Sequence, residues 1–283
     1  MKKKLLVLMA AMMTMLILAA CGSDEGQTGS SSDENGKEES NVLRIGMEAG
    51  YAPFNWTQMN DSNGAVKIDG SNEYAGGYDV EIAKKVAAEL GKELVIVKTE
   101  WDGLVPALQS GVVDAIIAGM SPTKERKESI DFTENYYTSD FVMVVKKGGA
   151  YEKAKTLADF TGAKITAQLN TTNYDVIDQI PGVKKEVAMD NFPAMRVAVE
   201  TGAVDGYVAE RPEAISAAAA NSNFTYTELE EGFEVSEEQV SVAIGIRKGD
   251  SNKDKMNEIL TGISEEERQT LMEAAIANQP AQQ

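Results

Sequence analysis

Gln109-Ser110-Gly111-Val112-Val113-Asp114-Ala115-Ile116-Ile117-Ala118-Gly119 returns without a gap as Glu200-Thr201-Gly202-Ala203-Val204-Asp205-Gly206-Tyr207-Val208-Ala209-Glu210. Both copies follow an apolar-periodic run, Leu104 to Leu108 in the first and Met195 to Val199 in the second. Each copy therefore reads as a helix end, a glycine stop and a short buried strand. Glycine is favoured just past a helix C-terminus because it accepts a positive φ at little cost. The apolar run after each aspartate is continuous, as expected for a parallel strand covered on both faces. Two copies predict two similar α/β lobes with a cleft between them. Ligands of open α/β sheets bind beyond the C-terminal ends of the strands. Gly119 and Glu210, which end the two copies, are therefore predicted to face that cleft.

The same reading extends outward. Val42 to Met47 alternates as a strand, Tyr51 to Phe54 is a loop, and Gly64 to Gly77 is a turn-rich surface hairpin or insertion. Asp79 is expected to cap a helix with an apolar stripe of Val80, Ile82, Ala83, Val86, Ala87 and Leu90, ended by Gly91. Leu94 to Val97 and Asp114 to Ala118 read as strands, with a helix from Asp102 to Gly111 between them. Ser121-Pro122-Thr123 is a helix start signal. Phe141 to Val145, Lys164 to Leu169 and Val240 to Ile246 read as further strands. Leu157 to Phe160 is a short helix, and Asn170-Thr171-Thr172 turns into another. Pro193 to Val199 is helical, and Met256 to Ala277 reads as two helices around Thr261-Gly262.

Composition removes whole classes of function. The net charge is −18, so no basic surface for nucleic acid is expected. There is no histidine, which excludes a Ser-His-Asp triad and histidine-ligated metals. The single cysteine, Cys21, offers no disulfide framework and no thiol pair. No catalytic group, metal or cofactor is expected.

Met1-Lys2-Lys3-Lys4, an apolar run from Leu5 to Ala20 and then Cys21 form a secretory signal. The run is short for a spanning helix, which takes about 20 residues. Leu18-Ala19-Ala20-Cys21 resembles the bacterial lipobox, which implies cleavage before Cys21 and its diacylation. From Gly22 to Asn41 there is no aliphatic or aromatic residue, so this segment reads as a flexible tether. A long tether suits the outer face of a Gram-positive cell membrane.

The chain resembles the amino-acid-binding lipoproteins of ABC importers, the polar-amino-acid class of solute-binding proteins. The strings that carry the resemblance are Tyr51-Ala52-Pro53-Phe54, Gly77-Tyr78-Asp79-Val80 and Trp101-Asp102-Gly103-Leu104-Val105-Pro106-Ala107-Leu108. They continue with Ser121-Pro122-Thr123-Lys124-Glu125-Arg126 and Ile130-Asp131-Phe132-Thr133, and their order and spacing are what is specific. The resemblance runs from about Val42 to Gln279. It implies the type 2 periplasmic-binding-protein fold: two Rossmann-like α/β lobes joined by two hinge crossovers that close on the ligand. The crossovers are expected near Tyr137-Thr138 and Ser241-Val242. That places the signal peptide at 1–20, the tether at 21–41, lobe 1 at 42–137 plus 243–279, lobe 2 at 138–242, and a frayed tail at 280–283. The implied partners are a free amino acid, an importer permease and the membrane through Cys21, with a monomeric chain.

An amino acid presents a carboxylate and an ammonium, and burying either unpaired is costly. By resemblance Arg126 grips the carboxylate, as a guanidinium can with two parallel hydrogen bonds, instead of standing as a solvated surface arginine. Thr171 and Thr172 offer backbone N–H groups from the second lobe, alone or while capping their helix. Glu210 resembles the ammonium acceptor, although aspartate is more usual there; the plain alternative is an ion pair with Arg211. Gly119 and Ser121 complete that subsite, and Met120 between them is counted with it. Tyr51 and Trp101 correspond to two aromatics that sandwich the side chain, while Phe54 and Trp56 read as structural. Gln168 borders the pocket from lobe 2. Glu48 resembles the acid that faces a cationic side chain, which points to arginine or lysine. A surface sensor or adhesin, or a dehydratase-type enzyme pairing Glu48 with Glu210, remains as the alternative on the same fold.

Overall fold

A computed structural model describes residues 41–280. The signal segment, Cys21, the tether up to residue 40 and residues 281–283 lie outside the described residues.

The chain builds two five-stranded sheets of one design. The first has the order Glu93–Lys98, Val42–Met47, Ala115–Ile116, Ser241–Ile246, Asp131–Thr138. The second has the order Lys184–Lys185, Lys164–Thr166, Gly206–Glu210, Phe141–Lys146, Phe224–Thr227. In each, three parallel strands are followed by two antiparallel pairings, so only the fourth strand runs against the others. A four-stranded antiparallel sheet, Gly50–Tyr51, Asn55–Gln58, Tyr74–Gly76 and Val66–Lys67, flanks the first. It absorbs the expected loop at Tyr51 and the expected insertion at 64–77.

The repeat does the same work in both halves. Gly111 and Gly202 stop their helices, Leu104–Ser110 and Phe192–Thr201, in the left-handed region at φ 80° and 77°. The aspartate three residues later then clamps the leading strand of its own sheet. Asp114 exchanges bonds with Arg44: its carboxylate accepts from the Arg44 N–H at 2.9 Å, and its N–H donates to the Arg44 carbonyl at 2.8 Å. Asp205 does the same with Lys164, at 2.8 Å both ways. The strands that follow are buried, with Ala115, Ile116, Tyr207 and Val208 all 0% exposed.

Several elements differ from these expectations. Asp79 does not cap the helix Tyr78–Glu89; Gly77 holds that place, and Asp79 sits buried in the first turn bonded to Asn55 and Tyr136. The strand expected at 114–118 is only Ala115–Ile116, because the backbone leaves the ladder toward Gly119 at φ 61°. The strand expected at 164–169 ends at Thr166, and Val240 closes a short helix, Glu237–Val240, before the strand at Ser241. The helix Arg211–Ala220 and the strand Phe224–Thr227 were not in the sequence reading: the helix is half alanine with little apolar periodicity, and the strand is only four residues long.

The chain passes from the first sheet at Thr138 to the second at Phe141, and returns at Ser241. The two passages are tied together. The Ser139 N–H donates to the Val240 carbonyl at 3.0 Å, and the Thr138 and Ser241 hydroxyls meet at 2.9 Å.

Candidate functional site

Between the two halves lies a narrow cleft lined by Tyr51, Trp101, Gly119, Ser121 and Arg126 from the first and by Gln168, Thr171, Thr172, Asn173, Phe192 and Glu210 from the second. Nine of these come from the sequence reading; Asn173 and Phe192 do not. Phe192 was nonetheless within reach: the offset that aligns Gln109 with Glu200 also aligns Trp101 with Phe192. Each half thus sends one aromatic into the cleft from the start of its repeat helix, and ends its repeat at the cleft with Gly119 or Glu210. A second correspondence runs through the clamped strands. Glu48 lies four residues beyond Arg44, and Gln168 four beyond Lys164. The two meet, with Gln168 Nε2 donating to Glu48 Oε2 at 3.0 Å.

The halves touch at further points. The Tyr51 hydroxyl donates to Glu210 Oε2 in a short hydrogen bond. Arg126 follows the Thr123 cap of the helix Lys124–Ser129 and spans the cleft. It donates from Nη1 to the Ser121 carbonyl at 2.9 Å and from Nη2 to the Asn170 carbonyl at 2.8 Å. Its guanidinium lies 5.1 Å from the Trp101 ring centre, within cation–π range. Burial lowers its pKa to about 10, which leaves it charged at neutral pH. It is not the solvated surface residue that its neighbours Glu125 and Lys127 would suggest. The Ser121 and Thr172 hydroxyls both donate to the Gln239 carbonyl at 3.2 Å, drawing the cleft floor toward the return passage.

Glu210 closes the strand Gly206–Glu210 and precedes the helix Arg211–Ala220. It is buried, and that burial raises its pKa. Arg211 does not neutralise it; that side chain turns outward to Asp140 at 2.6 Å and Glu228 at 2.7 Å. Glu48 is buried too, and desolvation lifts it to about 7, with the Gln168 bond opposing and Glu100 adding to the rise. Its Oε1 has no hydrogen-bond partner.

Three placements differ from the sequence reading. Met120 is not among the cleft-lining residues: past the turn at Gly119 it is 2% exposed in the core, and its carbonyl accepts from the Ala243 N–H at 3.0 Å. Glu48 is not part of the narrow cleft itself but reaches it through Gln168 and lines an adjoining cavity with Glu100 and Lys98. Tyr51 does not face Trp101 across a gap. Its ring is stacked between Phe54 at 4.8 Å and Phe192 at 4.4 Å. Phe54 and Trp56 are buried, as expected of structural residues.

Such a site presents a guanidinium, two buried acids, hydroxyls and aromatic faces, and no nucleophile–base pair. It can hold a small zwitterion. The sequence profile of the bacterial extracellular solute-binding proteins, family 3, matches residues 43–274. A probable histidine-binding protein of Campylobacter jejuni is 30% identical over 76% of this chain and 80% of its own. The arginine-binding extracellular protein ArtP of Bacillus subtilis is 36% identical over 60% of this chain and 57% of its own. A crystal structure of an amino acid ABC transporter substrate-binding protein from Streptococcus pneumoniae, bound to L-arginine, superposes with a TM-score of 0.73. It is 26% identical, over 84% of this chain and 94% of that one. The two-halved α/β architecture is that of the type 2 periplasmic-binding proteins, and the chain belongs to the bacterial extracellular solute-binding proteins, family 3.

Proposed function

We propose that this protein captures a free cationic amino acid, arginine or lysine, by hinge closure and hands it to the permease of an ABC importer. The observation that carries the reading is the cleft itself, where Arg126 stands across from Glu210, with Glu48 behind Gln168. Arg126 exchanges its two backbone acceptors for the ligand carboxylate, joined by N–H groups at Thr171 and Thr172. Glu210, with the Gly119 carbonyl and the Ser121 hydroxyl, takes the ammonium. Trp101, Tyr51 and Phe192 cover the side-chain stem. Glu48 meets the distal cation through its unpartnered oxygen, since a buried acid is stabilised by a charge partner. The lobes run 42–137 plus 243–279 and 138–242, and ligand contacts to both favour the closed state by differential affinity. Lipid on Cys21 holds the protein to the outer face of the cell membrane. Nothing in this scheme turns the ligand over.

The test is a thermal-shift panel of the twenty amino acids plus ornithine, citrulline and cystine, followed by titration calorimetry. A ligand at a thousandfold excess over Kd adds roughly 4 kcal/mol to stability. Arginine or lysine is expected to give the large shift, and Glu48→Gln is expected to erase the preference for arginine over glutamine. A shift confined to neutral or acidic amino acids would overturn the cationic assignment. No shift with any amino acid, on protein stripped of bound ligand, would overturn the function.

A further inference from the structure

Gly119 lines the cleft, but the group that holds its N–H does not. That group is the hydroxyl of Tyr136, on the strand Asp131–Thr138, which accepts from the Gly119 N–H at 3.1 Å. The same hydroxyl donates to Asp79 Oδ1 at 2.7 Å. Asp79 Oδ2 accepts from Asn55 Nδ2 at 2.7 Å. The Tyr136 carbonyl in turn accepts from the Tyr78 hydroxyl at 2.9 Å. Asp79, Tyr136, Asn55 and Tyr78 are all 0% exposed.

The direction of this chain is set by chemistry. A hydroxyl has one proton, and an ionised carboxylate can only accept. With its proton committed to Asp79, the Tyr136 oxygen can only receive the Gly119 N–H. Bonds running in one direction polarise one another in a low dielectric. A buried carboxylate bonded to neutral partners is an expensive way to fill a core, because apolar groups of similar volume serve packing as well or better. Gly119 is also hemmed in from the front. Its φ is 61°, and a Cβ there would lie 2.5 Å from Tyr51 Cε1. The glycine is held between Tyr51 on one side and the Asp79–Tyr136 pair on the other.

We infer that Asp79 and Tyr136 are positioning residues for the ligand's α-ammonium: they hold the Gly119 backbone where its carbonyl meets that group beside Glu210. The inference deepens the amino-acid reading above and rests on it. Neither residue touches the ligand.

The experiment compares arginine with desamino-arginine, which has the same carboxylate and guanidinium and no α-amine. Tyr136→Phe is expected to weaken arginine about tenfold and desamino-arginine by less than about twofold, read by titration or by displacement where binding is weak. Equal weakening of both ligands would mean general loosening and would overturn the inference, as would no weakening of either. If Tyr136→Phe does not fold, Asp79→Asn is read the same way. If neither folds, the Gly119 amide of the wild-type protein decides: its NMR resonance is expected to move with arginine and not with desamino-arginine, and equal shifts sink the idea. Failure of the wild-type protein to bind arginine strikes the ligand assignment alone. The pair is then replaced by the amino acid that does bind and its own desamino acid.

Discussion

Glu48 shows how much one side chain can settle. One carboxylate oxygen is bonded to Gln168, the other is buried without a partner, and burial has raised the pKa to about 7. A carboxyl whose folded pKa lies above its unfolded value contributes most to stability at low pH. That contribution is lost as pH rises from the ordinary carboxylate range through about 7. A cationic ligand reverses the balance, since it favours the ionised form. Arginine affinity is therefore expected to climb as pH rises toward 7 and to level off above it, with a proton released on binding below 7. Calorimetry in buffers of different ionisation enthalpy measures that proton. The Glu48→Gln variant should show a flatter profile, and an unchanged profile would remove Glu48 from ligand binding. At this scale the sequence was most informative at the ends of the two repeat copies, where Gly119 and Glu210 line the cleft. It failed at Met120, whose neighbours face the cleft while a turn of the backbone sends it into the core.

At the scale of elements, the two halves repeat one device: helix, left-handed glycine, aspartate clamp, buried strand. Gly111 and Gly202 both have open space where a Cβ would project. Replacing either with alanine therefore costs backbone strain without a clash, about 1–2 kcal/mol for an L-residue in that region. Gly202→Ala is expected to lower stability by that amount in urea denaturation. Its ligand affinity should stay unchanged, because the glycine touches nothing in the cleft. A loss of affinity would show that the repeat helix positions Phe192 more tightly than its cap alone implies. Helices with strong stripes and glycine stops were legible before the structure. Arg211–Ala220 was not, because its alanines carry little periodicity, and the helix is defined by packing against the Phe224–Thr227 strand and the C-terminal helix.

At the scale of the whole molecule, the halves are fastened at points far apart in the chain. The helix Glu265–Asn278 packs on Tyr78–Glu89 in the first half and on Arg211–Ala220 in the second. Just past its end, Gln279 Nε2 donates to the Ser216 carbonyl at 3.0 Å, and the Ser216 hydroxyl donates back to Gln279 Oε1. These bonds sit outside the cleft and join the end of that helix to the second half. Gln279→Ala is expected to weaken ligand binding about threefold to tenfold, chiefly through faster release. Stopped-flow dissociation measures it, and an unchanged release rate would show that the latch does not report on closure.

The sequence by itself determined the α/β class, the doubled architecture and most of the residues that line the cleft. The class, the doubling and the places of Gly119 and Glu210 follow from local rules: where glycine must end a helix, where an apolar run must be buried, and which ends of parallel strands stay open. The other cleft residues follow from the resemblance to the solute-binding family. Tertiary structure decided what those rules do not reach. It brought Gln168 to Glu48 and Tyr51 to Glu210, set Phe192 rather than Trp101 against the Tyr51 ring, and placed Asp79 behind Gly119. Each is a contact between residues distant in the chain. The first three exist because the two halves meet at the cleft, the last because the helix Tyr78–Glu89 and the strand Asp131–Thr138 come together within the first half, and local periodicity carries no information about either meeting.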